Sequence, residues 1–261
     1  MDRTSIISGA EEFLERTGEL GIFGAKSIRE AFRPPFEFQQ IGQQLFEVGW
    51  RSCPLILASG ISVGIVMSLH TRSSLERFGA GSMLPAVLAL ASFKELGPLI
   101  VGLLVAGRVG AGIGAELAGM RVTEQIDAME ALAINSFKYL VVTRVLACML
   151  ALPLLTIIMD FSVLFGGFIS EHSASHMSLG LYVKRAFESV DWADYVPPTV
   201  KTVVFGWIIG SVSCFLGYNA TQGSAGVGRA STRSVVWSSL LLILVDVLLV
   251  KIIFFLFPRA A

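Results

Sequence analysis

The chain is 261 residues long, 54% hydrophobic and only 15% charged, with a mean hydropathy of +0.70. A soluble domain carries about 25% charged residues, so this composition excludes an ordinary soluble globular fold. Twenty basic and twenty acidic side chains cancel, and the basic footprint of a nucleic-acid partner is absent.

The charge deficit is concentrated. Ser52–Leu69, Val145–Met159 and Thr202–Gly228 contain no charged residue. Apolar runs of about 18 residues cross the ~30 Å hydrocarbon core as helices, because lipid leaves backbone polar groups no partner outside the segment. The alternation of barrel strands is missing. The expected fold is therefore an all-α integral membrane protein of about five transmembrane helices behind an N-terminal amphipathic, interfacial segment. The expected division is residues 1–50 for that segment and 51–261 for the transmembrane domain.

Met1–Ser5 lacks the basic-then-apolar layout of a cleaved signal peptide, so the chain is expected to start near residue 1 on the cytoplasmic side. Over Thr4–Phe32, Ile6, Ala10, Phe13 and Leu14 share a helical face, with Glu11, Glu12, Glu15 and Arg16 mostly elsewhere. Pro34-Pro35 ends that pattern. A second short one sets Phe38, Ile41, Leu45 and Val48 against Gln39, Gln40, Gln43, Gln44 and Glu47. Such helices lie well in a membrane interface or pack on a partner.

The first span is expected at Ser52–Leu69, followed by a turn containing Arg72, Glu76, Arg77 and Gly79-Ala80-Gly81. The second runs from Met83 past Gly107, interrupted by Lys94-Glu95 and Pro98. A cytoplasmic stretch, Arg121–Lys138, precedes the third span at Val145–Ile169. Ser170–Val196 reads as a polar excursion, and the fourth and fifth spans as Thr202–Ala220 and Val235–Phe257. An odd number of spans puts the termini on opposite sides. With the N-terminus inside, the inner segments hold Arg3, Arg16, Lys26, Arg29, Arg33, Arg51, Arg121, Lys138, Arg144, Arg229 and Arg233. The outer ones hold Arg72, Arg77, Lys184, Arg185 and Arg259, so the positive-inside rule selects a cytoplasmic N-terminus.

Three features stand out. Gly102, Ala106, Gly110, Gly114 and Ala118 repeat at every fourth position, as do Gly60/Gly64 and Gly206/Gly210. Small residues at this spacing let helices approach closely in lipid, and packing within the chain is the favoured reading over a dimer seam. Lys94, Glu95, Asp160, Lys201, Asp246 and Lys251 are ionisable residues inside spans, where charge is costly and marks a path or a structural pair. Arg121–Asn135 places Val122, Ile126, Met129 and Ala133 on one face, with Glu124, Asp127 and Glu130 as an acidic ridge. A short amphipathic helix between spans suits docking into a partner's groove.

Other chemistries find no support. The phosphate-loop pattern is absent, Gly24-Ala25-Lys26-Ser27 being its nearest approach. His172 and His176 stand four apart without the His-Glu-x-x-His pattern of a zinc site. Cys53, Cys148 and Cys214 lie in apolar segments and suit packing, not a disulfide framework or zinc site.

Several blocks together resemble the MlaE/YrbE permease family. They are Lys94-Glu95-Leu96-Gly97-Pro98, Ala106-Gly107-Arg108-Val109-Gly110, Ala115-Glu116-Leu117 and the run from Met120 to Ile134. A second group is Lys201-Thr202-Val203-Val204-Phe205, Gly217-Tyr218, Ser224 to Ala230 and Thr232-Arg233-Ser234-Val235-Val236. The resemblance covers roughly Gln43–Phe257. Lys94 stands where relatives often carry arginine, keeping the charge but losing the planar fork.

The resemblance implies the membrane subunit of an ATP-binding-cassette lipid transporter, itself non-catalytic and without a bound cofactor or metal. It implies a homodimer, a separate ATPase subunit that binds ATP and magnesium, an MCE-domain protein, a small STAS-domain accessory protein and a phospholipid cargo. The location it implies is the bacterial inner membrane, with lipid exchanged toward a periplasmic partner to maintain outer-membrane asymmetry. By position, Lys94, Glu95, Leu96, Lys201 and Asp246 would lie near the lipid path. Arg121, Glu124, Gln125, Asp127, Met129 and Glu130 would belong to a coupling helix over residues 121–135. The competing reading is an ion-coupled secondary transporter using Glu95 and Asp246 as proton carriers.

Overall fold

The structure is a computed structural model. It describes the backbone of residues 3–34, 36–221 and 223–257, with side chains from residue 15 onward apart from residue 16. The expected apolar face of Ile6, Ala10, Phe13 and Leu14, and the terminal Arg259, lie outside the described side chains. Eleven α-helices are found among the described residues: α1 (Arg3–Ala31), α2 (Phe38–Val48), α3 (Cys53–Arg77), α4 (Leu84–Ala91), α5 (Gly97–Val105) and α6 (Ala111–Val122). They continue as α7 (Gln125–Ala131), α8 (Thr143–Ser175), α9 (Leu179–Glu188), α10 (Trp192–Tyr218) and α11 (Gly223–Leu256). Five helical stretches are long and apolar enough to cross a membrane: Phe38–Arg77, Gly81–Val122, Phe137–Ser175, Trp192–Tyr218 and Gly223–Leu256.

All five expected spans are present, but each extends beyond its apolar run. The first continues to Arg77 because Arg72 pairs with Glu76 at 2.7 Å and with the buried Glu171 of α8 at 2.9 Å. Only Phe78–Ala80, with Gly79 in the left-handed region, is left for the turn. The fourth begins at Trp192, ahead of the expected Thr202, and runs through Pro197-Pro198. Asp191 and Asp194 form a reciprocal capping box that starts the helix before the prolines are reached. The fifth begins at Gly223, so Arg229 and Arg233 are helical.

The second span is 42 residues long. At 1.5 Å per residue it measures about 63 Å, twice the hydrocarbon thickness. Two π-helical turns, Ser92–Leu96 and Ala106–Gly110, interrupt it. Pro98 explains the first: its ring and missing N–H disfavour regular bonding one turn back. Gly97 instead donates across the wider turn to Ser92 O.

α8 and α10 form the centre. In α10's most apolar window 67% of residues are buried, against 11% for α11. The glycine strips pack within the chain. A Cβ at Gly60 would meet Ser162 and Met159 of α8, and one at Gly206 would press on the Cys148 and Met149 backbone. Gly102, Gly110 and Gly114 face α10 or α11 in the same way. Among the described residues, those of α11 that are buried are Gly226, Ala230, Ser234, Ser238, Leu242 and Asp246, four residues apart and so on one face.

The C-terminal half of α1 packs on the bundle. Phe23 stacks edge-on against Phe137 and Phe215, and Trp207 Nε1 donates to Gly24 O at 3.3 Å. Lys138 Nζ donates to Arg33 O, tying the Pro34 corner to the bundle.

Candidate functional site

Two parts of the structure gather the singled-out residues. The first is a charge cluster where the π-turn of the second span meets α10 and α11. Lys201 reaches from the buried side of α10, its side chain 1% exposed. Its Nζ donates to Glu95 Oε2 at 2.8 Å. Asp246 Oδ1 of α11 lies 2.9 Å from the same Nζ, a charge contact outside hydrogen-bond geometry. Three helical stretches thus converge on one ammonium.

Lys94 turns to another partner. It pairs at 3.0 Å with Asp194 Oδ1, while Asp194 Oδ2 accepts from the Asp191 N–H in the capping box. Asp194 therefore caps α10 and anchors the π-turn at once. Leu96 is half-buried and does not line the cleft beside these charges. That cleft, bounded by Lys94, Glu95, Ala193, Pro198, Val250 and Phe254 among others, holds about 30 Å³. This is room for about one water, far below the several hundred Å³ of an ordinary ligand pocket. Glu95, with 39% of its side chain open, is the member that faces outward.

Asp160 lies apart from the cluster, fully buried under the π-turn. Ser92 Oγ donates to its Oδ1 at 2.8 Å, and a Cβ on Gly97 would collide with the same oxygen. Its second oxygen has no hydrogen-bond partner among the described residues. Lys251 is exposed near the end of α11, consistent with a flexible side chain reaching toward an interface.

The second part is α7. The expected helix over 121–135 is divided. Arg121 and Val122 end α6, Glu124 takes the left-handed conformation at φ 59°, and only Gln125–Ala131 is helical. Ala133 is left-handed as well, at φ 60°. Ile126 is fully buried and Met129 half-buried against the bundle, which seats α7 flat on its own chain. Two acidic side chains are engaged internally. Asp127 Oδ1 accepts from Arg121 at 2.6 Å, and Glu130 Oε1 accepts from Ser136 Oγ at 2.7 Å and Tyr218 Oη at 2.9 Å. The Ser136 hydroxyl, and then the Tyr218 hydroxyl, hold the Glu130 carboxyl below its usual 4.5. Glu124 and Gln125 are exposed, and Leu132 and Ile134 present apolar surface at 74% and 44% exposure.

Sequence reasoning missed Asp194 and the pairing of Arg144 with Glu116. Arg144 is 2% exposed and bonds Leu140 O and Glu116 Oε1, the latter at 2.7 Å. The signal for Asp194 was the Asp191-x-x-Asp194 spacing before an apolar run. Among the described residues, no three His, Cys, Asp or Glu side chains converge as a metal site.

The fold has close relatives in sequence. Residues 41–252 match the family described as Permease MlaE. A protein of Rickettsia bellii named a probable ABC transporter permease protein is 38% identical over 237 residues, covering 91% of this chain and 92% of that one. The intermembrane phospholipid transport system permease protein MlaE of Haemophilus influenzae is 30% identical over 93% of this chain and 94% of its own. A chloroplastic Arabidopsis thaliana protein, trigalactosyldiacylglycerol 1, is 32% identical over 93% of this chain and 69% of its own.

Proposed function

The chain belongs to the MlaE permease family, and we propose from that premise that it moves phospholipid as the membrane subunit of an ATP-binding-cassette complex. It is a multi-pass membrane protein of the ABC permease class. The observation that carries the cargo assignment is the near full-length match to a relative named for intermembrane phospholipid transport.

The geometry supports how such a subunit would work. Phospholipid does not fit the water-sized cleft beside Lys201, so at the level of that cluster the cargo sits outside the single bundle. The open face of α11, with Leu240, Leu244, Val247 and Leu248 exposed, and the outward side of Glu95 flank that position. A second copy closing over this face would make a lipid chamber between the first, second and fifth spans. Lys94, Glu95, Lys201 and Asp246 would stand at its wall. Extraction costs about 0.8 kcal/mol per methylene removed from the bilayer, so an energy source is required. That energy enters through α7 from a separate ATPase subunit carrying ATP and magnesium, on the cytoplasmic side with the N-terminus. An MCE-domain protein receives or delivers lipid across the inner membrane's outer face, with a STAS-domain protein as accessory.

The docking contact is the exposed rim of α7: Glu124, Gln125, Leu132 and Ile134. Detergent extraction and affinity purification of the full chain, followed by identification of co-purified proteins and lipids, tests the assignment. Wild type should retain an ATPase subunit and phospholipid. Glu124→Lys with Leu132→Asp should lose the ATPase and keep the lipid. Transport driven by an ion gradient without ATP would overturn this reading and support proton carriage by Glu95 and Asp246.

A further inference from the structure

A larger cleft lies on another side of the bundle, between α2 and α6, with a volume of about 890 Å³. None of the Lys201 cluster lines it. Among the described residues its one lining cation is Arg108, carried on the second π-turn, Ala106–Gly110. π-turns occur often at functional sites because they displace side chains from the regular helical register.

Arg108 is held but not neutralised. Its Nη1 donates to Ser52 Oγ at 2.5 Å. Among the described residues, no carboxylate pairs with it. A guanidinium has five N–H donors, so most of its capacity remains. The two lining carboxylates have other partners: Glu47 pairs with Arg51 at 2.8 Å and Glu116 with Arg144 at 2.7 Å. The lining carries one arginine and two glutamates, and because each glutamate is paired with an arginine from outside the lining, Arg108 is the cation left for a phosphodiester.

Its depth also fits a lipid headgroup. Ser52 immediately precedes α3 and follows the exposed Trp50 and Arg51, residue types that mark a membrane–water boundary. From Arg108, α6 runs toward α7, with Glu116 about 12 Å further on. The cleft therefore extends from headgroup level toward the α7 side, and its far wall carries Gln39, Gln43 and Gln44. Gly42 and Gly112 border it with open space where a Cβ would stand.

We infer that this cleft is a phospholipid headgroup site for the leaflet nearest α7, with the phosphodiester on Arg108 and the headgroup alcohol toward Gln43 and Gln44. The acyl chains leave past Ser52 along the apolar exterior of α3. The inference rests on the reading that the chain handles phospholipid, but it places a second station away from the Lys201 cluster.

The test installs the photocrosslinker benzoylphenylalanine at Gln43 of the full chain, reconstituted in phosphatidylcholine bilayers containing phosphatidylglycerol. Illumination should give an adduct of one phospholipid mass. Arg108→Gln should reduce it about tenfold, the loss of a charge-assisted hydrogen-bonded contact. Gly112→Leu, which fills open space, should reduce it similarly while the protein elutes as wild type. Adducts unchanged by both substitutions would mean bulk lipid only and overturn the inference. A covalent dimer in place of a lipid adduct would make the cleft an interface between copies. Adducts lost to excess inorganic phosphate would make it a free-phosphate site. Arg108-dependent adducts in a chain that fails to transfer lipid would leave this site standing without the transport function. ATP-driven transfer with no such adducts would remove this site alone.

Discussion

Lys201 offers the sharpest energetic test, because one ammonium holds two carboxylates of unequal burial. At an effective dielectric of about 20, each contact near 2.8–2.9 Å corresponds to roughly 6 kcal/mol of attraction before desolvation is counted. Much of this is offset by removing the charges from water, so the informative quantity is the cost of breaking the set. Lys201→Met leaves Asp246, 5% exposed, without its cation, and should cost about 3–5 kcal/mol. Asp246→Asn strands the buried ammonium with only the more open Glu95 and should cost several kcal/mol. Glu95→Gln removes a partner that is 39% open and should cost about 1 kcal/mol or less. In the Lys201→Met background, Asp246→Asn should be far less damaging than alone, with a coupling of roughly 1–3 kcal/mol. Equilibrium unfolding in mixed detergent micelles measures all four corners of the cycle. A Lys201→Met change within about 0.5 kcal/mol of wild type, or Glu95→Gln costing more than Asp246→Asn, would refute the burial argument.

Three further outcomes follow from the packing. Gly206→Ala should destabilise by about 1–3 kcal/mol because its Cβ meets the Cys148–Met149 backbone, whereas Gly112→Ala should be neutral or stabilising by about 0.5–1 kcal/mol; the same unfolding assay separates them. Gly97→Ala should perturb the π-turn, since its Cβ collides with Asp160, and combining it with Asp160→Ala should recover part of the loss. Glu130 has a lowered carboxyl pKa. Its contribution to anchoring α7 is therefore present above 4.5 and lost as pH falls below that value through the folded pKa. Hydrogen exchange of residues 124–134 should rise in that acid range for wild type, and Glu130→Gln should remove the pH dependence.

The five spans were legible because uncharged apolar runs must be helical in lipid, and Ser52–Leu69 and Val145–Met159 announce themselves. Their ends were not. Arg72 and Glu171 extend two helices past the apolar boundary by pairing across 99 residues, a contact invisible to any window on the chain. The Asp191–Asp194 cap starts α10 ahead of Pro197-Pro198, within the stretch that reads as a polar excursion. Lys94 and Glu95 are adjacent in sequence, but the widened turn at Ser92–Leu96 sends them to different partners, Asp194 and Lys201. The acidic ridge of Glu124, Asp127 and Glu130 was drawn on an unbroken helix. Left-handed Glu124 breaks that helix, and Asp127 and Glu130, though exposed, are held by Arg121, Ser136 and Tyr218 beside the open Glu124, Leu132 and Ile134. Arg108 was legible only as part of a motif, because its cleft is made by α2, a segment sixty residues away.

The most direct test is reconstitution of the full chain in phospholipid vesicles with the ATPase subunit and the MCE-domain protein proposed as its partners, following transfer of labelled phospholipid. Transfer should require ATP hydrolysis and disappear with Glu124→Lys and Leu132→Asp while the permease remains folded. Transfer that proceeds without ATP, or that follows an imposed proton gradient, would contradict it.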